Sequence, residues 1–115
     1  MDQQSVLDKI KEIYDDGVAE INGREYKFTK STHKKRRKIF AFSSRVGGMA
    51  EVGDFSFLDW DEFDTIEKVI CDMILFDNMQ LSKLSMHWEQ YPEDYLMLIT
   101  TAMAVISYPL TRAAR

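Results

Sequence analysis

The densest chemical feature of the sequence is a run of five consecutive cations: Lys34, Lys35, Arg36, Arg37 and Lys38. Such a run can bind phosphate groups, and the nearby rings of Phe40 and Phe42 could stack on bases. Consecutive residues of a helix point all round its axis, however, so the run does not form one stripe that faces a groove. Because the chain is acidic overall, we expect these cations to face carboxylates or solvent rather than nucleic acid.

The side chains that commonly carry catalysis or bind metals are few and widely spaced. Cys71 lies beside an apolar stripe, which is typical of a buried, inert thiol. His33 and His87 have no partners at the spacing of a zinc site. The glycine and ligand order of a calcium loop are missing from the acidic set Asp59, Asp61, Glu62 and Asp64. Since no phosphate loop, nucleophile elbow or dinucleotide fingerprint occurs, the sequence predicts no catalytic residues, no metal and no cofactor.

The formal charge of −4 is unevenly divided along the 115 residues. Residues 1–45 hold 11 Lys or Arg against 7 Asp or Glu, whereas residues 46–115 hold 4 against 12. Opposite charges in two halves of one small domain predict complementary surfaces. We therefore expect a homo-oligomer in which the cations of residues 34–38 mediate self-association.

The first residues lack the basic and apolar pattern of a secretory signal, and a single cysteine suits a reducing compartment. We therefore expect a cytoplasmic protein. The length suits one domain.

A hairpin is the clearest predicted element. Asn22-Gly23 is the strongest short-range hairpin signal, and a two-residue loop pairs Ala19 with Tyr26. On this register one face holds Ala19, Ile21, Tyr26 and Phe28. We place the hairpin at residues 18–29 and expect helices to cover it.

Hydrophobic spacing places helices at residues 4–15, 32–46, 60–75, 80–90 and 92–108. The fold class is therefore mainly α, a single domain of four or five helices with a small N-terminal β-hairpin. Ser31 or Thr32 is the expected cap of the second helix, and Gly47 its stop. Asp59 is the expected cap of the third.

Pro92 and Pro109 bracket the most apolar stretch of the chain, which only Thr100, Thr101 and Ser107 interrupt. A helix that is apolar on most sides must be covered on most sides, so we expect it at the centre of the core. It is too short for a membrane span.

The segment 47–58 has no helical periodicity, which predicts a long loop. In an extended segment the rings of Phe55 and Phe57 would point to one side, with Trp60 close behind. We interpret Phe55, Phe57 and Trp60 as a partner-binding surface. The alternative is that the two phenylalanines close the core.

Several segments of the sequence resemble segments found in one protein family. INGREYKF followed by KKRRKIFAF is similar to the opening of tail assembly chaperones of long-tailed bacteriophages. The later part resembles them more closely: an apolar helix, the turn LFDN, a Leu-rich turn before His87-Trp88, and a final apolar helix that ends near Tyr108-Pro109.

The resemblance spans residues 21–109. It implies a mostly helical protein of the host cell cytoplasm, without catalysis, that binds the tape measure protein and helps tail tube protein subunits gather round it. Two alternatives remain open. One is a small nucleic-acid-binding regulator that uses residues 34–38, and the other is a self-associating structural subunit of the virion.

Overall fold

The structure, a computed structural model, describes residues 3–113. In this range the helices are α1 (Gln3–Asp16), α2 (His33–Glu51), α3 (Asp61–Asp72), α4 (His87–Gln90) and α5 (Pro92–Ala113). The strands β1 (Val18–Ile21), β2 (Arg24–Phe28), β3 (Ile74–Phe76) and β4 (Met79–Gln80) follow one another in that order in an antiparallel sheet. The mainly α class is confirmed, but the sheet has four strands where the sequence predicted two.

The helix α5 lies at the centre of the packing and contacts each of the other four helices. Its inward side chains are buried in one core with residues of α2 and α3; they are Leu98, Ile99, Ala102, Met103 and Ile106. The outer face, with Leu96 and Met97, is exposed. None of the helices in residues 3–113 is long and apolar enough to cross a membrane.

The helix α5 continues through Pro109, where the sequence analysis ended it. A proline removes one backbone N–H and so deprives a carbonyl of the preceding turn of its usual donor. The carbonyl concerned is that of Val105, whereas Arg36 Nε of α2 donates to the next carbonyl, that of Ile106, at 3.1 Å. The predicted stop at residue 108 is wrong: α5 still packs against α1 beside Pro109, where the ring centroids of Tyr14 and Tyr108 lie 5.3 Å apart, and this packing supports the helix past the proline.

The predicted hairpin is confirmed. Asn22 and Gly23 have φ values of 52° and 82°, as a type I′ turn requires, and Ala19 pairs with Tyr26. The side chains of Ala19 and Tyr26 are buried against the helices. The burial of this face fixes the register, because a slip by one residue would turn every apolar side chain to solvent.

A second hairpin, β3–β4, replaces the ends of two predicted helices. Its turn residues Asp77 and Asn78 have φ values of 51° and 66°, so they form a left-handed turn like that of the first hairpin. Strand β3 pairs with β2 through Lys27 and Leu75. The predictions of helices at 60–75 and 80–90 are therefore wrong in these parts: α3 ends at Asp72, and the later segment forms β4, a 3₁₀ turn (Leu81–Lys83) and the short α4.

The helix α2 runs to Glu51, past the predicted stop at Gly47. Thr32 caps its start, since its side chain accepts from the Lys35 N–H. The helix ends where Gly53 takes a φ of 79°, a conformation that suits glycine. Only residues 52–55 then separate α2 from a 3₁₀ turn (Ser56–Asp59), so the predicted loop of residues 47–58 is wrong. Asp59 does not cap α3, because Trp60 holds the cap position without a side-chain bond.

Candidate functional site

A fully buried carboxylate lies where the first hairpin meets α5. Asp94, in the first turn of α5, is 0% exposed. Its Oδ2 accepts from Tyr26 Oη at 2.6 Å, and its Oδ1 accepts from Asn22 Nδ2 at 2.7 Å. Arg24 Nε lies 3.3 Å from Oδ2, close enough for an ion pair but without hydrogen-bond geometry. A buried carboxylate is tolerated only when it is paired and hydrogen-bonded, and these three side chains supply that pairing.

Arg24 reaches the carboxylate because of the hairpin register. It pairs with Ile21, so its side chain leaves the sheet on the same face as Tyr26. Its Cζ lies 4.0 Å from the ring centroid of Tyr91, and its NH2 group contacts Glu93 at 2.5 Å. The guanidinium is thus held between an aromatic face and two carboxylates.

His87 completes the group from the side of α4. Its Nε2 lies 2.9 Å from Tyr26 Oη, and the residue is 4% exposed. Because the single phenol proton goes to Asp94, the phenol oxygen must accept from His87, which places the imidazole proton on Nε2. Burial lowers the pKa of His87, Arg24 lowers it further, and Asp94 opposes the shift. Burial, followed by the hydrogen bond to Asp94, raises the pKa of Tyr26 above its ordinary value.

These five residues, Asn22, Arg24, Tyr26, His87 and Asp94, are called the Asp94 cluster below. Their polar groups bond chiefly to one another, and they join the first hairpin to α4 and α5. We interpret the cluster as structural: its hydrogen bonds and ion pairs hold the first hairpin against α4 and α5. The cluster was not predicted from the sequence, where His87 was noted only as lacking partners at the spacing of a zinc site. The available signal was Arg24, an ionic side chain on the inward face of the predicted hairpin.

An open surface groove of about 470 Å³ lies beside the Asp94 cluster. Its lining includes Phe76, Met79, Leu84, Met86, His87 and Tyr91. This groove is called the methionine groove below. Met79 and Met86 are 49% and 60% exposed, whereas His87 is buried. The β3–β4 turn therefore lines a concave surface beside α4, which the sequence analysis did not predict because it placed no hairpin there.

The three aromatic residues predicted to bind a partner do not share one exposed face. Phe57 is 0% exposed and packs with its ring centroid 5.6 Å from that of Phe63. Phe55 is half-buried, and Trp60 is 38% exposed. The expected alignment of Phe55 and Phe57 is wrong because Phe57 lies in a 3₁₀ turn rather than in an extended segment. Phe57 closes the core, as the alternative proposed, whereas Trp60 remains accessible.

The basic run occupies the start of α2. Four of its side chains, those of Lys34, Lys35, Arg37 and Lys38, are exposed and form no ion pair with the described residues. Arg36 points inward to the carbonyl of Ile106. Within the run, Arg36 therefore has a structural role, whereas the other four cations are accessible to solvent or a partner. A role of these cations in self-association stays a prediction.

Burial raises the pKa of the Cys71 thiol to about 12, with a smaller contribution from Glu67. A thiol in this state is a poor nucleophile at neutral pH. Within residues 3–113, no three His, Cys, Asp or Glu side chains are placed to hold a metal ion together.

Comparison of the chain with protein-family models, with curated proteins and with solved structures gives no match.

Proposed function

We propose that this protein is a non-catalytic tail assembly chaperone of a long-tailed bacteriophage. In this proposal it acts in the host cytoplasm, binds the tape measure protein and helps tail tube subunits assemble around it. The motive is the resemblance of residues 21–109 to that family. The structural observation that carries the proposal is a set of long apolar side chains left accessible on a helical domain, among them Trp60, Met79 and Met86.

Accessible methionine and tryptophan side chains suit the binding of apolar helices. Methionine is unbranched and polarizable, so it adapts to partner side chains of different shape. Tryptophan supplies a large apolar area and is frequent among the residues that dominate binding energy. A chaperone that holds a long, varied helix needs such an adaptable surface more than it needs one deep pocket.

Co-expression with tail proteins tests the proposal. We expect tagged protein to recover the tape measure protein in soluble form, and the tape measure protein expressed alone to be less soluble. Purified phage particles should lack the protein. Its presence in particles in fixed amount would instead support a structural subunit of the virion.

The four accessible cations of α2 favour nucleic-acid binding as a second candidate function. Such binding should weaken steeply with salt, because each phosphate contact releases counterions. A gel-shift titration of random duplex DNA at two salt concentrations distinguishes the nucleic-acid-binding regulator from the chaperone. Retention of DNA at micromolar protein would favour the regulator.

A further inference from the structure

The methionine groove combines an apolar floor with flexible walls. Phe76 and Leu84 are partly buried and belong to the periphery of the core, whereas Met79 and Met86 stand exposed on the rim. The volume of about 470 Å³ lies within the usual range for binding sites, of roughly 300–1,000 Å³. Because the groove is open to solvent, it suits side chains that project from a helix.

The surface next to the groove is acidic. A neighbouring depression shares Phe76 and Asp77 with the groove and is also lined by Glu20 and Glu25. None of these three carboxylates forms an ion pair with the described residues. Of the nearby cations, Arg24 is already paired with Glu93 and Asp94. Lys27 shares a depression with Glu25 and Asp77, and Lys83 lines the groove itself, so three carboxylates face two lysines and the surface keeps a net negative charge.

Two of the carboxylates also repel each other. Glu20 and Glu25 lie directly opposite across β1 and β2, on the solvent face of the hairpin. Like charges in directly opposed positions destabilise a sheet. Lys27, two residues from Glu25 on the same face of β2, offsets part of this repulsion. A cation supplied by a partner would relieve the remainder, so the surface favours a basic partner over an acidic one.

From the apolar groove and its acidic border, we propose that the methionine groove binds an amphipathic helix of another protein, whose apolar face is flanked by Lys or Arg. This proposal rests on the proposed function and deepens it, because it names the surface and the kind of helix that the chaperone holds. Met79 and Met86 contact the apolar face of the helix, and Glu20, Glu25 and Asp77 contact its cations.

The probe is a designed helical peptide of about 18 residues, with Leu at every third or fourth position and Lys beside the Leu stripe. A matched peptide carries Glu in place of Lys. We expect the Lys peptide to bind and the Glu peptide to bind at least about tenfold more weakly, with the difference shrinking as salt screens the charges. Equal affinity for the two peptides would overturn the charge assignment.

Methionine methyl NMR locates the bound peptide. With ¹³C-methyl methionine, the resonances of Met79 and Met86 should shift on titration, while that of Met97, which is 57% exposed on α5 outside the groove, should not. The variant Met79→Gln/Met86→Gln should weaken binding at least about tenfold, and Met97→Gln less than about twofold. Equal shifts at all three methionines, or unchanged affinity in the double variant, would overturn the proposal.

Capture of the tape measure protein separates this inference from the proposed function. If the wild type and the double variant capture it equally, the groove assignment is wrong while the chaperone function stands. If the peptide binds in the groove but no tape measure protein is captured, the groove assignment stands and the chaperone function is wrong. Because Met79 and Met86 are exposed, both variants should melt close to the wild type, which a thermal scan verifies.

Discussion

Removal of the Tyr26 hydroxyl should destabilise the fold far more than its single oxygen atom suggests. The hydroxyl donates to a carboxylate that is 0% exposed, and it accepts from the buried His87. In Tyr26→Phe the ring still fills its space, but Asp94 loses one donor and His87 loses its acceptor. Each buried polar group left unpaired costs about 1–3 kcal/mol, so we expect a loss of about 2–4 kcal/mol in the free energy of unfolding.

The matched control is Tyr91→Phe. Tyr91 also lies near His87, with its ring centroid 5.1 Å away, but its hydroxyl has no hydrogen bond to a described residue. Its ring, on which Arg24 stacks, stays in place, so we expect a change within about 0.5 kcal/mol.

Urea unfolding followed by circular dichroism measures both variants. In a thermal scan, a loss of 2–4 kcal/mol should lower the melting temperature by about 8–17 °C. If Tyr26→Phe is as stable as Tyr91→Phe, the hydrogen bonds of the Tyr26 hydroxyl do not stabilise the packing of the hairpin on α5, and the structural role assigned to the Asp94 cluster is wrong.

Three further predictions follow from burial and charge. Burial lowers the pKa of His87 below its ordinary value of 6.5, so the unfolded chain takes up a proton that the folded protein excludes. Stability is then fully present above about pH 6.5 and falls below it by at most about 1.4 kcal/mol per pH unit; urea titrations should show this slope, and His87→Gln should remove it. Phe57→Ala should cost about 3–5 kcal/mol in thermal unfolding, against about 1–2 kcal/mol for Trp60→Ala, whose ring packs on Phe42 and Phe57 but is 38% exposed; equal losses would contradict the core position of Phe57. Sedimentation should show larger species at low salt than at high salt, and Lys35→Glu/Arg37→Glu should abolish the larger species. A mass distribution that stays the same at both salt concentrations and in the double variant would refute self-association through these charges.

The sequence predicted elements whose signals are local. Asn22-Gly23 adopts the left-handed turn that these residue types favour, and the alternation around it sets the register. Asp77 and Asn78 form the same kind of turn, but the apolar run before them fits a helix or a strand equally well by periodicity. The pairing of β3 with β2 decides between the two, and that contact joins residues far apart in the chain.

Long-range contacts explain the remaining differences. The helix α2 continues through Gly47 because the residues after it, Met49 and Ala50, still pack against the core, which outweighs the low helix propensity of glycine. The Asp94 cluster could not be predicted in full, since Tyr26 and Asp94 are 68 positions apart. In the sequence Asp94 has a sufficient local explanation, as a carboxylate in the first turn of a helix.

Site-specific photo-crosslinking tests the central claim most directly. A photoreactive amino acid is placed at position 86, in the methionine groove, or at position 97, on the exposed face of α5, and the protein is co-expressed with the tail proteins of a long-tailed phage. We predict that position 86 crosslinks to the tape measure protein, through a helical segment that carries Lys or Arg, and that position 97 gives little of this product. Crosslinks of position 86 only to host proteins or DNA, with no tape measure protein at either position, would contradict the proposed function.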